Sequence, residues 1–185
     1  MVVATPPALT IDEFLRLHGG ELGVELVRGQ VVTYPVPGAG HGRVCINAAF
    51  EVEQFLRKNR TGRAFANDTF VRVSGGTLRG ADVCFWSYAK LPKEASVPDG
   101  VIEVAPDFVM EVKSPNDRWG QVFVKVGEYL GAGVSVVVIF DPGTETASVH
   151  RDQGEHQIRS ALEELTLPDV LPGFAVPVAR FFEGE

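Results

Sequence analysis

An α/β fold with a mixed central sheet flanked by helices is what this sequence predicts, on three observations. The apolar run 108–112, a helix-periodic stretch and the apolar run 134–140 follow one another, and strand, helix, strand in that order implies a parallel pair with a right-handed crossover. Shorter alternating runs near residues 24–27, 31–34, 63–66, 70–73 and 81–86 add hairpin-type antiparallel strands. Residues 41–58 carry Val44, Ala48, Val52, Phe55 and Leu56 at helical spacing, which supplies a second covering helix.

Taken in order, Thr10 and Glu13 form a capping-box pattern, and Ile11, Phe14, Leu15 and Leu17 give the helix after it an apolar face toward the sheet. Arg28-Gly29 is the turn of the first hairpin, whose first arm contains Glu25. A Gly- and Pro-rich loop leads to the helix at 41–58, which Asn59 to Gly62 should stop. Three candidate strands follow, the third containing Asp82, and then residues 87–105, with Pro92, Pro98 and Asp99-Gly100, read as an irregular excursion that borders or covers a site. In the next helix Trp119, Val122, Phe123, Val126, Tyr129 and Leu130 trace one stripe that closes at Gly131 and Gly133. Beyond Asp141-Pro142-Gly143 an exposed hairpin is expected at 147–151 with 157–160, and a short amphipathic piece at 178–182.

With 185 residues, 45% of them hydrophobic, the chain is expected to form a single domain with its core over about residues 21–151. A net charge of -7 argues against holding nucleic acid by bulk electrostatics but leaves room for a local basic patch. The two cysteines, Cys45 and Cys84, offer neither a disulfide framework nor a CxxC metal site, so a reducing cytoplasm is expected. The N-terminus lacks a basic leader and is interrupted by Pro6 and Pro7, and the apolar run 134–140 is too short to span a membrane, so no membrane association is expected.

The unusual residues are Glu111 and Lys113, two charges in an apolar strand. Strand side chains alternate, so both are expected on one face and adjacent, at the carboxyl end of a strand that leads into a helix. Asp82, 29 residues earlier on another strand, completes the order of the nuclease core written PD-(D/E)xK. The chemistry explains the residue types. Asp82, Glu111 and the Val112 backbone carbonyl are hard oxygen donors suited to Mg²⁺ or Mn²⁺, which acidifies a bound water and offsets charge on a phosphate. Lys113 would orient that water and stabilise the oxyanion. The plainer alternative is a strand-end salt bridge between Glu111 and Lys113, with Asp82 as a turn or edge residue. Pro106-Asp107 is a literal "PD", but Asp107 shares the strand of Glu111 and cannot reach across from a neighbour. Gly38, Gly40 and Gly42 before a helix suggest a phosphate-binding loop, with a spacing that departs from GxGxxG.

GVELVRGQVV, HGRV at a helix start, RGADVCFW, PDFVMEVKSPNDR, a lysine in the next helix and YLGAGVSVVVIFDP, in that order, resemble the Uma-two family of restriction-endonuclease-like proteins. Ala81 stands where that family usually has proline, and Val136-Val137 replaces its aromatic pair. The resemblance implies a PD-(D/E)xK core, a metal site, no established substrate for most members, and Asp82, Glu111 and Lys113 as the catalytic set; DNA is the substrate expected here, with a homodimer expected because related nucleases often pair two active sites. The resemblance adds Lys125 as a catalytic accessory and Glu25 as a further candidate metal ligand. Lys125 lies about 240° round its helix from Trp119 at ~100° per residue, beside the apolar stripe, where a snorkelling boundary lysine is the alternative. An edge-strand carboxylate is the alternative for Glu25, and His41 is either a substrate contact or a solvated helix-start histidine. The rival to an endonuclease is a catalytically silent nuclease-fold binding or regulatory module.

Overall fold

A computed structural model describes residues 7–154 and 156–184. Residues 1–6, including Pro6, lie outside the described residues. The elements in chain order are α1 (Ile11–His18), β1 (Val24–Val27), β2 (Gln30–Thr33), α2 (Ala39–Asn59), β3 (Gly62–Val73), β4 (Thr77–Ser87), β5 (Phe108–Val112), α3 (Trp119–Gly131), β6 (Val136–Asp141), β7 (Thr146–His150), β8 (Gln157–Arg159), β9 (Glu164–Leu167), β10 (Leu171–Pro177) and α4 (Ala179–Phe182). Among the described residues they make an eight-stranded mixed sheet ordered β2-β1-β4-β5-β6-β7-β8, with β3 also paired to β4, and a two-stranded sheet of β9 and β10.

Local chemistry explains most of these elements. Thr10 Oγ1 accepts from the Glu13 N–H while the Glu13 carboxylate accepts from the Thr10 N–H, the reciprocal capping box that starts α1. Phe14 then packs against Val24, Leu26 and Leu78. Arg28 and Gly29 both have positive φ, 52° and 77°, which the two-residue turn between β1 and β2 requires. β5 and β6 are parallel, with Glu111 opposite Ile139, and α3 forms the crossover between them.

β5 alternates as a buried strand must. Phe108, Met110 and Val112 join the core under α2, with Val52, Phe140 and Leu165. Val109 belongs to the core under α3, with Val126, Tyr129 and Ile139, and Glu111 projects to that same side against Tyr129.

Four expectations are corrected by the fold. The two strands near 63–66 and 70–73 are one strand, β3, with a bulge where its register against β4 shifts between Ala66 and Thr69. Gly40 and Gly42 lie inside α2, so the glycine-rich stretch is not a phosphate-cradling loop. The excursion 87–105 is irregular as expected but lies over the core: Leu91 and Ile102 are buried beside Val71 and Trp86, and Trp86 Nε1 donates to the Val104 carbonyl. Strand β7, expected to be exposed, is buried, because β9, β10 and α4 bring Leu165, Leu171 and Phe181 against Ala147 and Val149.

Candidate active site

The site forms where the sheet divides. β1 meets β4 at Leu26 opposite Leu78, whereas β5 meets it only from Val83 onward. Along that gap one backbone donor of β4 and one of β5 are served by carboxylates instead of a strand. Glu25 Oε1 accepts from the Gly80 N–H at 3.2 Å, and Asp82 Oδ2 accepts from the Val112 N–H at 2.7 Å. Two acidic side chains thereby satisfy backbone donors that the diverging ladder leaves over, and the gap becomes a pocket of about 440 Å³, a size suited to a small ligand or substrate group. Glu25, His41, Asp82, Glu111, Val112, Lys113 and Lys125 all line it.

Asp82 and Glu111 therefore face one space from adjacent strands. Glu111 Oε1 accepts from the Tyr129 hydroxyl at 2.6 Å, and its Oε2 lies 3.8 Å from Lys125 Nζ. Burial pushes the Glu111 carboxyl up to about 8; the Lys125 ammonium and the Tyr129 hydroxyl oppose this, and the negative charge of Asp82 adds to it. Burial alone would lower Lys125, but Glu111 and Glu25 outweigh it and hold the ammonium protonated.

Lys125 comes from α3, and its Nζ donates to Glu25 Oε1 at 2.9 Å. Its position beside the apolar stripe carries it over the sheet end to two carboxylates, Glu25 and Glu111. Both oxygens of Glu25, the further candidate metal ligand, accept hydrogen bonds. Oε1 accepts from Lys125 and Gly80, and Oε2 accepts from Arg79 Nη1 at 2.7 Å. Arg79 also donates to Glu128 at 2.7 Å and to the Tyr34 hydroxyl at 3.0 Å. Burial would raise Glu25, but Lys125 and Arg79 outweigh it and keep the carboxylate ionised.

Glu111 and Lys113 line the same pocket, but among the described residues no ion pair joins them. β5 ends at Val112, and Lys113 Nζ sits 5.6 Å from the centroid of the Trp119 ring. Among the described residues the ammonium within ion-pair distance of Glu111 is that of Lys125. Lys113 lines the pocket from its wall.

His41, in the first turn of α2, is not solvated. Its Nε2 lies 3.4 Å from Asp82 Oδ2, with 11% of the side chain exposed. Burial would lower its pKa, but Asp82, Glu111 and the Val112 backbone outweigh it, so the imidazole is raised. Cys45, one turn on, places Sγ 3.3 Å from His41 Nδ1, and burial followed by the Asp82 charge pushes this thiol well above its ordinary range. Asp107 is elsewhere, capping the Ser87 N–H at 2.6 Å.

The sequence reading missed Asp68, Arg79, Tyr34 and Tyr129 as parts of the site. Asp68 lines the pocket from the β3 bulge, where Asn67 and Asp68 have φ of 68° and 56°. Burial and then Asp82 raise its carboxyl. Asn and Asp tolerate the left-handed region best among non-glycine residues, so Asn67-Asp68 in mid-strand was the available signal. Opposite them, a Cβ at Gly80 would come within 3.3 Å of the Asp68 Cβ, so glycine gives the bulge its room.

This mixed sheet, with α2 and α3 on opposite faces and an acidic pocket at its division, defines a restriction-endonuclease-like fold. The chain belongs to the Uma2 family, described as "Putative restriction endonuclease", whose profile matches residues 11–179. The fold is also that of a crystal structure from Anabaena variabilis described as "a putative nuclease belonging to DUF820". The TM-score is 0.82 at 21% identity, over 94% of this chain and 97% of that one. No curated protein matches the chain. Among the described residues no helix is long and apolar enough to cross a membrane.

Proposed function

We propose that this chain hydrolyses DNA phosphodiester bonds with a divalent ion, Mg²⁺ or Mn²⁺, held by Asp82, Glu111 and the Val112 carbonyl. The observation that carries the reading is the meeting of Asp82 and Glu111 in one pocket at the sheet division, with the Lys125 ammonium 3.8 Å from Glu111. The donor set fits such an ion. It consists of hard oxygens, Glu111 Oε2 is not the oxygen that receives the Tyr129 hydroxyl, and the repulsion that helps to raise Glu111 is what a cation relieves. When bound, the ion supplies a more acidic water and positive charge opposite the phosphate.

The protein groups divide the remaining work. Lys125, kept protonated and anchored by Glu25, orients the attacking water and offsets oxyanion charge. Glu25 and Arg79 are positioning residues for Lys125, and Tyr129 fixes the rotamer of Glu111. Lys113, on the pocket wall, contacts a substrate phosphate. The net charge of -7 makes DNA binding depend on these local cations, so affinity falls steeply with salt. In this reading the chain is one functional domain, works in the cytoplasm, and pairs as a homodimer so that two sites address both strands.

Cleavage of plasmid, nicked, single-stranded and branched DNA with Mg²⁺ or Mn²⁺ tests the reading. Activity should appear on at least one substrate and be lost in Asp82→Asn and in Lys125→Ala, with a smaller loss in Lys113→Ala. One observation favours a silent nuclease-fold module, namely that Lys113 faces Trp119 instead of Glu111. DNA binding without cleavage on every substrate would establish that module and end the endonuclease reading.

A further inference from the structure

His41 has a placement that neither a solvated histidine nor a simple substrate contact explains. Its ring lies among the oxygen donors, with Nε2 3.4 Å from Asp82 Oδ2, and it interacts with the Glu111 charge and the Val112 backbone. That distance is long for a charge-assisted hydrogen bond, which runs at ~2.7–2.9 Å. The same Asp82 oxygen already accepts from the Val112 N–H at 2.7 Å. Two atoms each ~2.1–2.2 Å from one ion, at about a right angle, lie ~3.0–3.1 Å apart, so the 3.4 Å spacing is a few tenths of an ångström wider than that of two ligands sharing an ion.

The other ring nitrogen is occupied from behind. Cys45 sits four residues along α2, and its Sγ is 3.3 Å from His41 Nδ1. With the Nδ1 proton turned toward sulfur, the Nε2 lone pair faces the pocket, the arrangement by which outer groups fix a ligand histidine's tautomer. One nitrogen, an oxygen of Asp82 and the Cys45 sulfur lie within 4.8 Å of one another.

We propose that His41 Nε2 is a nitrogen ligand of the divalent-ion site, beside Asp82, Glu111 and the Val112 carbonyl, and that it makes the site select Mn²⁺ over Mg²⁺. This rests on the metal-dependent reading above. Mg²⁺ takes oxygen ligands, whereas imidazole is a donor for first-row transition ions, of which Mn²⁺ is the one that also suits an otherwise all-oxygen site, so replacing one oxygen by nitrogen moves the preference from magnesium toward manganese. Cys45 is then a positioning residue that holds the ring.

Calorimetric titration of the chelator-stripped full chain with MnCl₂ and MgCl₂, with pulsed EPR of the Mn²⁺ complex, tests this on wild type, His41→Asn, Cys45→Ser and Asp82→Asn. Wild type should bind Mn²⁺ at least roughly tenfold more tightly than Mg²⁺ and show modulation from a directly bound nitrogen. His41→Asn should lose that modulation and weaken Mn²⁺ by about tenfold or more, with Mg²⁺ changing by less than about threefold, and Cys45→Ser should keep the nitrogen. If His41→Asn does not fold, wild type made with ¹⁵N-histidine decides, because its modulation must change to the ¹⁵N pattern. Absence of a bound nitrogen in wild type, an unchanged ion ratio in His41→Asn, or loss of Mn²⁺ binding in Cys45→Ser overturns the assignment. Wild type that binds Mg²⁺ and cleaves DNA without a nitrogen signal leaves the nuclease reading intact and removes the His41 ligand alone. Wild type that binds neither ion removes both, and Asp82→Asn, losing both ions together, marks the underlying site.

Discussion

The two faces of β5 use one alternation for opposite ends. Toward α2, Phe108, Met110 and Val112 enter an apolar core, and Phe108 stacks on Phe85 at a ring separation of 5.2 Å. Toward α3, Glu111 sits in a network of Tyr129, Lys125, Glu25 and Arg79. The first face is stabilised by area removed from water and tolerates any well-packed apolar shape. The second holds only while each charge keeps its partner, since a buried charge left alone is costly. Stability and chemistry are thus separated by one residue of register.

Substitutions on the two faces should therefore fail in different ways. The largest effect is expected from Asp82→Asn. Cleavage should fall by at least ~10³-fold, about 4 kcal/mol of transition-state stabilisation, while the metal-free melting temperature stays close to wild type. A melting temperature that collapses with activity would break the comparison. On the apolar face, Phe108→Ala should lower unfolding free energy by about 3–4 kcal/mol in urea titration and leave the ion affinity of the remaining folded protein unchanged.

Arg79→Met sharpens the boundary between the faces. The guanidinium is 5% exposed and lies between Glu25 and Glu128, so its removal strips Glu128 of this partner, leaves Glu25 with Lys125 alone and should cost about 3 kcal/mol. Because Glu25 anchors Lys125, cleavage rate should fall further than stability explains, measured as kcat on the fully folded fraction.

A further effect concerns pH. Glu111 is raised to about 8 against an ordinary 4.5, so the folded state holds a proton that the unfolded chain has released between these values. Its contribution is present at low pH and is lost as pH rises through that window. His41, also raised, adds stability below its ordinary 6.5 that disappears as pH climbs through its higher folded value. The metal-free protein should thus melt at a progressively lower temperature from pH 5 to 8. Glu111→Gln should flatten this decline and melt at or slightly above wild type near pH 8. A variant that melts far below wild type, with an undiminished Mg²⁺ response, would make Glu111 a structural ion-pair partner.

What the sequence determined by itself follows from local rules. The Thr10–Glu13 cap, the Arg28-Gly29 turn, the periodicity of α3 and the parallel β5–β6 pair depend on neighbours within a few residues or on one alternation pattern. Asp82 and Glu111 were legible as a pair because carboxylates in apolar strands are conspicuous.

Tertiary structure alone decided which cation meets Glu111. Lys113 is nearer in sequence, but its strand ends and its ammonium finds Trp119, whereas Lys125 reaches in from a helix laid across the sheet end. The direction taken by a long side chain depends on what lies above the strand, which spacing does not record. The same holds for Glu25, drawn to Lys125 and Arg79, and for His41, turned inward by α2. Asp68 enters the pocket because β3 bulges against β4, and β7 is buried because β9, β10 and α4 return over it. Each is a pairing between distant segments, and the energy that selects it exists only once those segments have met.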